Sequence, residues 1–154
     1  NLVFKPFTEV SADELQRGLT SKLIGPFLAV QQALPHLSKQ GSIVFFSGLA
    51  AYRPSAGSSV VAAVNAGLEG LAKALAVELA PIRVNVISPG VIDTPLWDSL
   101  HPVERQAFYQ SVANHLLVRR IGQPAEVAQA AVFAMSNGFV TGSVLHVEGG
   151  GRLS

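Results

Sequence analysis

Two short apolar runs separated by a long helical segment constrain this 154-residue chain more than any other feature. Residues 42–47 (SIVFFS) are a nearly continuous apolar run, the pattern of a strand covered on both faces, which belongs to parallel sheets, and residues 82–87 (IRVNVI) read as a second apolar strand. Parallel neighbours need a crossover of a dozen or more residues, and a turn-rich loop followed by a helix over residues 58–80 supplies it. The centre of the chain is therefore a βαβ unit. In open parallel sheets the ligand crevice lies outside the carboxyl ends of the strands. Chemistry is expected just after Phe46, at Ser47-Gly48, and just after Ile87, at Ser88-Pro89-Gly90.

The flanking segments extend the same α/β plan. Ser11 with Glu14 three residues on is a capping box, opening a helix over 11–37 with Leu15, Leu19, Leu23 and Phe27 at helical spacing and a bend expected at Pro26. Within the 58–80 helix, Ala63, Gly67, Gly70 and Ala74 form a small-residue stripe, and the only charges are Glu69, Lys73 and Glu78. A helix apolar nearly all round is buried on more than one side. Pro124 starts a further helix that Gly138 is expected to end, residues 143–147 read as a last strand, and Gly149 to Gly151 read as a flexible exit.

Composition excludes several function classes. Hydrophobic residues make up 49% and charged residues 14%, enough apolar material for one well-filled domain over 1–154. With 11 basic and 10 acidic residues, net charge +1 and no basic run, nothing suggests nucleic acid or an anionic membrane surface. There is no cysteine, hence no disulfide framework or thiolate metal site, and His101 and His115 do not have metal-binding spacing. The apolar stretches are broken by charge or proline short of a membrane span, and no charged-then-apolar leader is visible, so a cytoplasmic location is expected.

Four segments in order, GSIVFFSG, LAVELAPIRVNVISPGVIDTP, RIGQPAEVA and VTGSVLHVEGG, make the chain similar to the C-terminal part of the short-chain dehydrogenase/reductase family. The resemblance implies a Rossmann-type, doubly wound parallel sheet, NAD or NADP as cofactor, and hydride transfer to or from a hydroxyl or carbonyl group of a small-molecule substrate. It also implies two preceding βα units, with a TGxxxGxG turn and an NNAG motif, that are not in these 154 residues. Without them the strand at 42–47 has an unpaired edge.

The family's catalytic positions are substituted. Its substrate-binding serine falls on Gly48, and its YxxxK falls on Val61 to Asn65, so the tyrosine acid becomes Val61 and the lysine becomes Asn65. Three hydroxyls nearby are the remaining catalytic candidates: Ser47, Tyr52 and Ser59. Toward the cofactor, the resemblance implies Lys22, at the position of a family asparagine, together with Asn65 and the PGxxxT corner, Pro89, Gly90, Ile92 and Thr94. No metal is implied. The helices at 11–37 and 58–80 correspond to the family's dimer-forming pair, which implies a homo-oligomer. Two functions follow: an NAD(P)-dependent oxidoreductase of a divergent branch, or a catalytically inactive relative kept as a binding or oligomerising scaffold.

Overall fold

A computed structural model of the chain describes residues 3–154. Helix α1 (Ala12–Leu19) runs through a π turn (Thr20–Ile24) into α2 (Gly25–Ala33). Strand β1 (Ser42–Phe46), helix α3 (Ser59–Glu78) and strand β2 (Arg83–Pro89) form the central unit. Helices α4 (Pro102–His115) and α5 (Pro124–Ser136) and strand β3 (Val144–Val147) complete it. The sheet is parallel throughout, in the order β1-β2-β3, with Phe45 opposite Val86 and Val86 opposite Val144.

Helices cover both faces. On one, Leu68 and Ala72 of α3 pack with Phe45, Val84 and Val86, joined at the edge by Leu23 and Val30. On the other, Ala131 and Ala134 of α5 pack with Ile87, Val44 and Leu145. β2 is central and buried on both sides, and its one internal amide is satisfied: Asn85 Nδ2 donates to the Val140 carbonyl at 2.8 Å and Oδ1 accepts from the Ser143 N–H. By length and mean hydropathy (1.5) α3 matches a membrane span, contrary to the expectation that every apolar stretch is interrupted too early. Leu68 and Ala72 of this helix pack on the sheet, with Leu71, Leu75 and Ala76 around them, and 39% of the apolar window is buried in the fold.

Several local readings are refined. Ser11 and Glu14 form the capping box, the Glu14 N–H donating to Ser11 Oγ and the Ser11 N–H to Glu14 Oε2, while Lys5 pairs with the same carboxylate at 2.9 Å. Near Pro26 the helix widens by one residue: the Gly25 N–H donates to the Thr20 carbonyl five residues back. A proline has no N–H for the carbonyl four residues earlier and its ring crowds that group, and the π turn relieves both problems. Gly18 sits where α1 crosses α3; a β-carbon there would lie 2.7 Å from Val60. Helix α5 ends at Ser136, ahead of Gly138, because Asn137 turns extended and the Arg83 guanidinium donates to the carbonyls of Ala134 and Met135. The glycine run 149–151 is a packed turn rather than a flexible exit. Gly149 and Gly150 have φ of +64° and +82°, and β-carbons on them would meet Val118 and Leu117.

The small-residue stripe faces outward more than inward. Gly67 meets Leu23, but Ala63 and Ala74 are exposed and Gly70 has open space around it. Leu15, Phe27, Leu28 and Val77 are also exposed.

Candidate functional site

β1 and β2 end side by side, the Ser47 N–H donating to the Ile87 carbonyl at 2.9 Å, and beyond their carboxyl ends lies a cleft of about 460 Å³. The π turn aims Lys22 into it, where the ammonium donates to the carbonyls of Phe46 (3.1 Å) and Ser47 (3.3 Å). Burial pushes the Lys22 ammonium toward a lower pKa than an ordinary lysine. From the first turns of α3 come Val61 and Asn65, both buried, and Asn65 Oδ1 has no hydrogen-bond partner. Such an atom is costly in an interior unless something arrives to bond it.

The strand-end loop after β2 forms a second wall. Gly90 lies so close to Glu148 that a β-carbon would approach its Cα to 2.9 Å, so the Pro-Gly corner is fixed by a backbone crossing. Val91 and Asp93 pair with Gly122 through main-chain bonds, and Trp97 Nε1 donates to the Ile92 carbonyl at 3.0 Å. The RxGxPxE segment has a structural role here. Arg120 pairs with Glu126 at 2.6 Å, and Glu126 accepts from the Gln123 N–H at the start of α5. These contacts hold the Glu126 carboxyl down at about 2.

Lys22, Asn65, Pro89, Gly90, Ile92 and Thr94, drawn from three separate stretches of sequence, all line this one cleft, as does Ser47. Tyr52 and Ser59 do not line it. Ser59 is exposed at the start of α3. The Tyr52 hydroxyl donates to Glu69 Oε2, and Ser47 Oγ donates to Glu69 Oε1 at 2.6 Å, so one buried carboxylate orients both candidate hydroxyls. The Tyr52 ring stands edge-on to His146 at 4.6 Å with the Arg152 guanidinium 5.7 Å from its centre. Burial, and then the bond and charge of Glu69, push the Tyr52 phenol up to about 12. That makes it a weaker acid than free tyrosine, turned to a carboxylate. Burial also pulls the His146 imidazole down.

The three positions to which the resemblance assigns the family's catalytic groups differ in what they offer. Val61 presents only methyl groups to the cleft. Gly48 has φ of 171°, extended backbone open to any residue, so conformation does not require glycine there. A β-carbon on it would stand 3.0 Å from Asn65 Nδ2, so the missing side chain and the asparagine amide share one space. Sequence reading overlooked Glu69 as an organiser. A lone charge on an otherwise apolar helix face was the available sign of it.

Residues 1–151 match the family described as enoyl-(acyl carrier protein) reductase. The chain is 37% identical to an uncharacterized oxidoreductase of Schizosaccharomyces pombe over 94% of its length and 58% of that protein. It is 35% identical to a 3-oxoacyl-[acyl-carrier-protein] reductase of Bos taurus, covering 100% of this chain and 62% of the other. It superposes on a small-chain dehydrogenase crystallised with NADPH with a TM-score of 0.96 at 35% identity, spanning 100% of this chain and 70% of that one. The chain thus spans about three-fifths of the curated relatives it matches. With its parallel sheet covered on both faces and its cleft beyond the strand ends, the chain belongs to the short-chain dehydrogenase/reductase family.

Proposed function

We propose that the cleft is the substrate end of an NAD(P)-dependent oxidoreductase acting on a hydroxyl or carbonyl group, with a proton donor other than tyrosine. One observation carries this reading: six residues from separate segments converge on a single apolar cleft at the strand ends, with a buried, unpartnered acceptor, Asn65 Oδ1, inside it. The residues fit the nicotinamide end of a dinucleotide. Asn65 Oδ1 would accept from a ribose hydroxyl, and the Thr94 hydroxyl with the main chain from Pro89 to Ile92 would hold the carboxamide. When bound, the cofactor supplies or accepts hydride. The chain's own residues position the substrate, exclude water through Leu49, Val61 and Trp97, and hold a charged donor, Lys22, at the strand end.

A second reading, an inactive relative retained as a scaffold, draws on Val61 and Gly48, which carry no group able to transfer a proton. The exposed apolar residues of α1, α2 and α3 favour homo-oligomerisation under either reading. Titration with NADH and NADPH, followed by nicotinamide fluorescence, tests the oxidoreductase reading, and oxidation of the bound cofactor by ketones and aldehydes separates it from the scaffold reading. Joined to an upstream glycine-rich βα half, the chain is expected to bind one of them in the micromolar range; no binding contradicts the oxidoreductase reading. The 154 residues alone, which contain no glycine-rich phosphate turn, are expected to bind either one weakly.

A further inference from the structure

Lys22 is the one ionisable side chain among the described residues that line the cleft, whose walls are otherwise backbone, apolar side chains and a few neutral polar groups. A lysine ammonium has three N–H donors. Two are directed at the Phe46 and Ser47 carbonyls, which hold the group at the strand end without neutralising it. No carboxylate lies within ion-pair distance of it among the described residues. The buried carboxylate behind the strand end, Glu69, is taken by Ser47 Oγ and the Tyr52 hydroxyl. A half-buried cation with apolar neighbours and one N–H not used by these carbonyls can take a further oxygen acceptor from the cleft.

We propose that Lys22 is the oxyanion anchor of this cleft, its third N–H donating to the carbonyl or carboxylate oxygen of an apolar small molecule. The inference deepens the oxidoreductase reading and rests on it for the identity of the reacting group. When a carbonyl is reduced, negative charge builds on its oxygen, and a fixed ammonium in a poorly hydrated site stabilises that charge. The other wall residues bring no charge: Val61 and Gly48 have no side-chain donor, and Asn65 and Thr94 are neutral. The substrate class is correspondingly narrow, an apolar skeleton with one oxygen at its tip.

The cleft holds its own reporter, since Trp97 is the chain's single tryptophan and lines it. The test titrates the 154-residue chain, without dinucleotide, with hexanoate, hexanamide and inorganic phosphate while Trp97 fluorescence is followed. Hexanoate is expected to bind at least about tenfold more tightly than hexanamide, and phosphate to give no saturable change. Lys22→Met should bring the two organic ligands within about twofold, whereas Lys73→Met, exposed on α3, should leave the preference intact. Should Lys22→Met fail to fold, Lys22→Gln, which keeps an N–H donor but no charge, is expected to show the same loss. Equal affinities in the unmutated chain, no saturable response to hexanoate, a preference that survives loss of the Lys22 charge, or phosphate binding as tight as hexanoate would each overturn the proposal. No hydride donor is present in the titration. Its failure therefore leaves the hydride-transfer reading standing, and failure of hydride transfer leaves the anchor standing.

Discussion

Replacing Tyr52 with phenylalanine separates a structural tyrosine from a catalytic one. Phenylalanine keeps the ring against His146 and under Arg152 and removes only the hydroxyl that donates to Glu69. Glu69 is 5% exposed, so Tyr52→Phe leaves one oxygen of a buried carboxylate without its donor. A hydrogen bond to a charged group contributes about 1.5–3 kcal/mol. Tyr52 is itself 42% exposed, and water can partly replace it, which places the expected loss near the lower end, about 1–2 kcal/mol. For a chain of this length that corresponds to a melting temperature lower by about 2–8 °C. Urea unfolding followed by circular dichroism at fixed protein concentration measures it. A double-mutant cycle with Glu69→Gln should give a coupling of about 1 kcal/mol between the two sites. The folded phenol is raised to about 12, so folding favours its neutral form. The stability this brings is complete below about pH 10 and is lost as pH rises from 10 to 12; Tyr52→Phe should remove that part of the alkaline loss. A change within about 0.5 kcal/mol, with no coupling to Glu69, would refute the reasoning and free the hydroxyl for another role.

Other perturbations test the remaining layers. Leu68→Ala, at the centre of the α3 face and 1% exposed, should cost about 2–5 kcal/mol in the same urea assay. Glu14 is held at about 2, chiefly by the Ser11 N–H and then by Lys5, and Glu126 at about 2, chiefly by Arg120 and then by the Gln123 N–H. Folded values below the unfolded one mean stability that is present above about pH 4.5 and lost as pH falls toward 2, so Glu14→Gln with Glu126→Gln should flatten the acid limb of melting temperature against pH. Gly70→Glu places a charge on the open face of α3 and should shift light scattering from oligomer toward monomer; a soluble monomer before any mutation would rule that interface out.

The βαβ core was legible because burial on both faces of a parallel strand favours apolar residues at every position, as in Ile43 to Phe46, and Val84, Val86 and Ile87 keep that character in Arg83–Pro89 while the Asn85 amide and the Arg83 guanidinium bond to backbone carbonyls. Caps were legible for a similar reason: Ser11 and Glu14 bond within four residues of each other. What sequence could not supply is convergence across distance. Nothing in the spacing of Ser47, Tyr52 and Glu69 announces that one carboxylate orients both hydroxyls. The π turn was equally hidden. Pro26 foretold a disturbance, but a bend and a one-residue widening have the same sequence cause, and only the widening presents Lys22 to the strand end. The glycine run after β3 misled because glycine signals flexibility and close packing alike; Leu117 and Val118 decide for packing.

Whether Gly48, Val61 and Asn65 stand where the family's catalytic groups act is tested most directly by hydride transfer to carbonyls by the completed chain. Oxidation of NADPH and NADH is followed across ketones and aldehydes for the chain joined to a glycine-rich half, before and after Gly48→Ser, Val61→Tyr and Asn65→Lys together. The changes act as one unit: a side chain at 48 needs the space that Asn65 now holds, so single replacements should do almost nothing. General acid catalysis is worth roughly 10²- to 10⁴-fold, about 3–5 kcal/mol of barrier, and the triple variant is expected to gain a rate increase of that order. Tyr52→Phe and Ser59→Ala, both outside the cleft, should leave the rate of the unmutated completed chain unchanged. An unmutated chain that turns over at an ordinary enzymatic rate, with that rate collapsing on Tyr52→Phe or Ser59→Ala, would contradict the account.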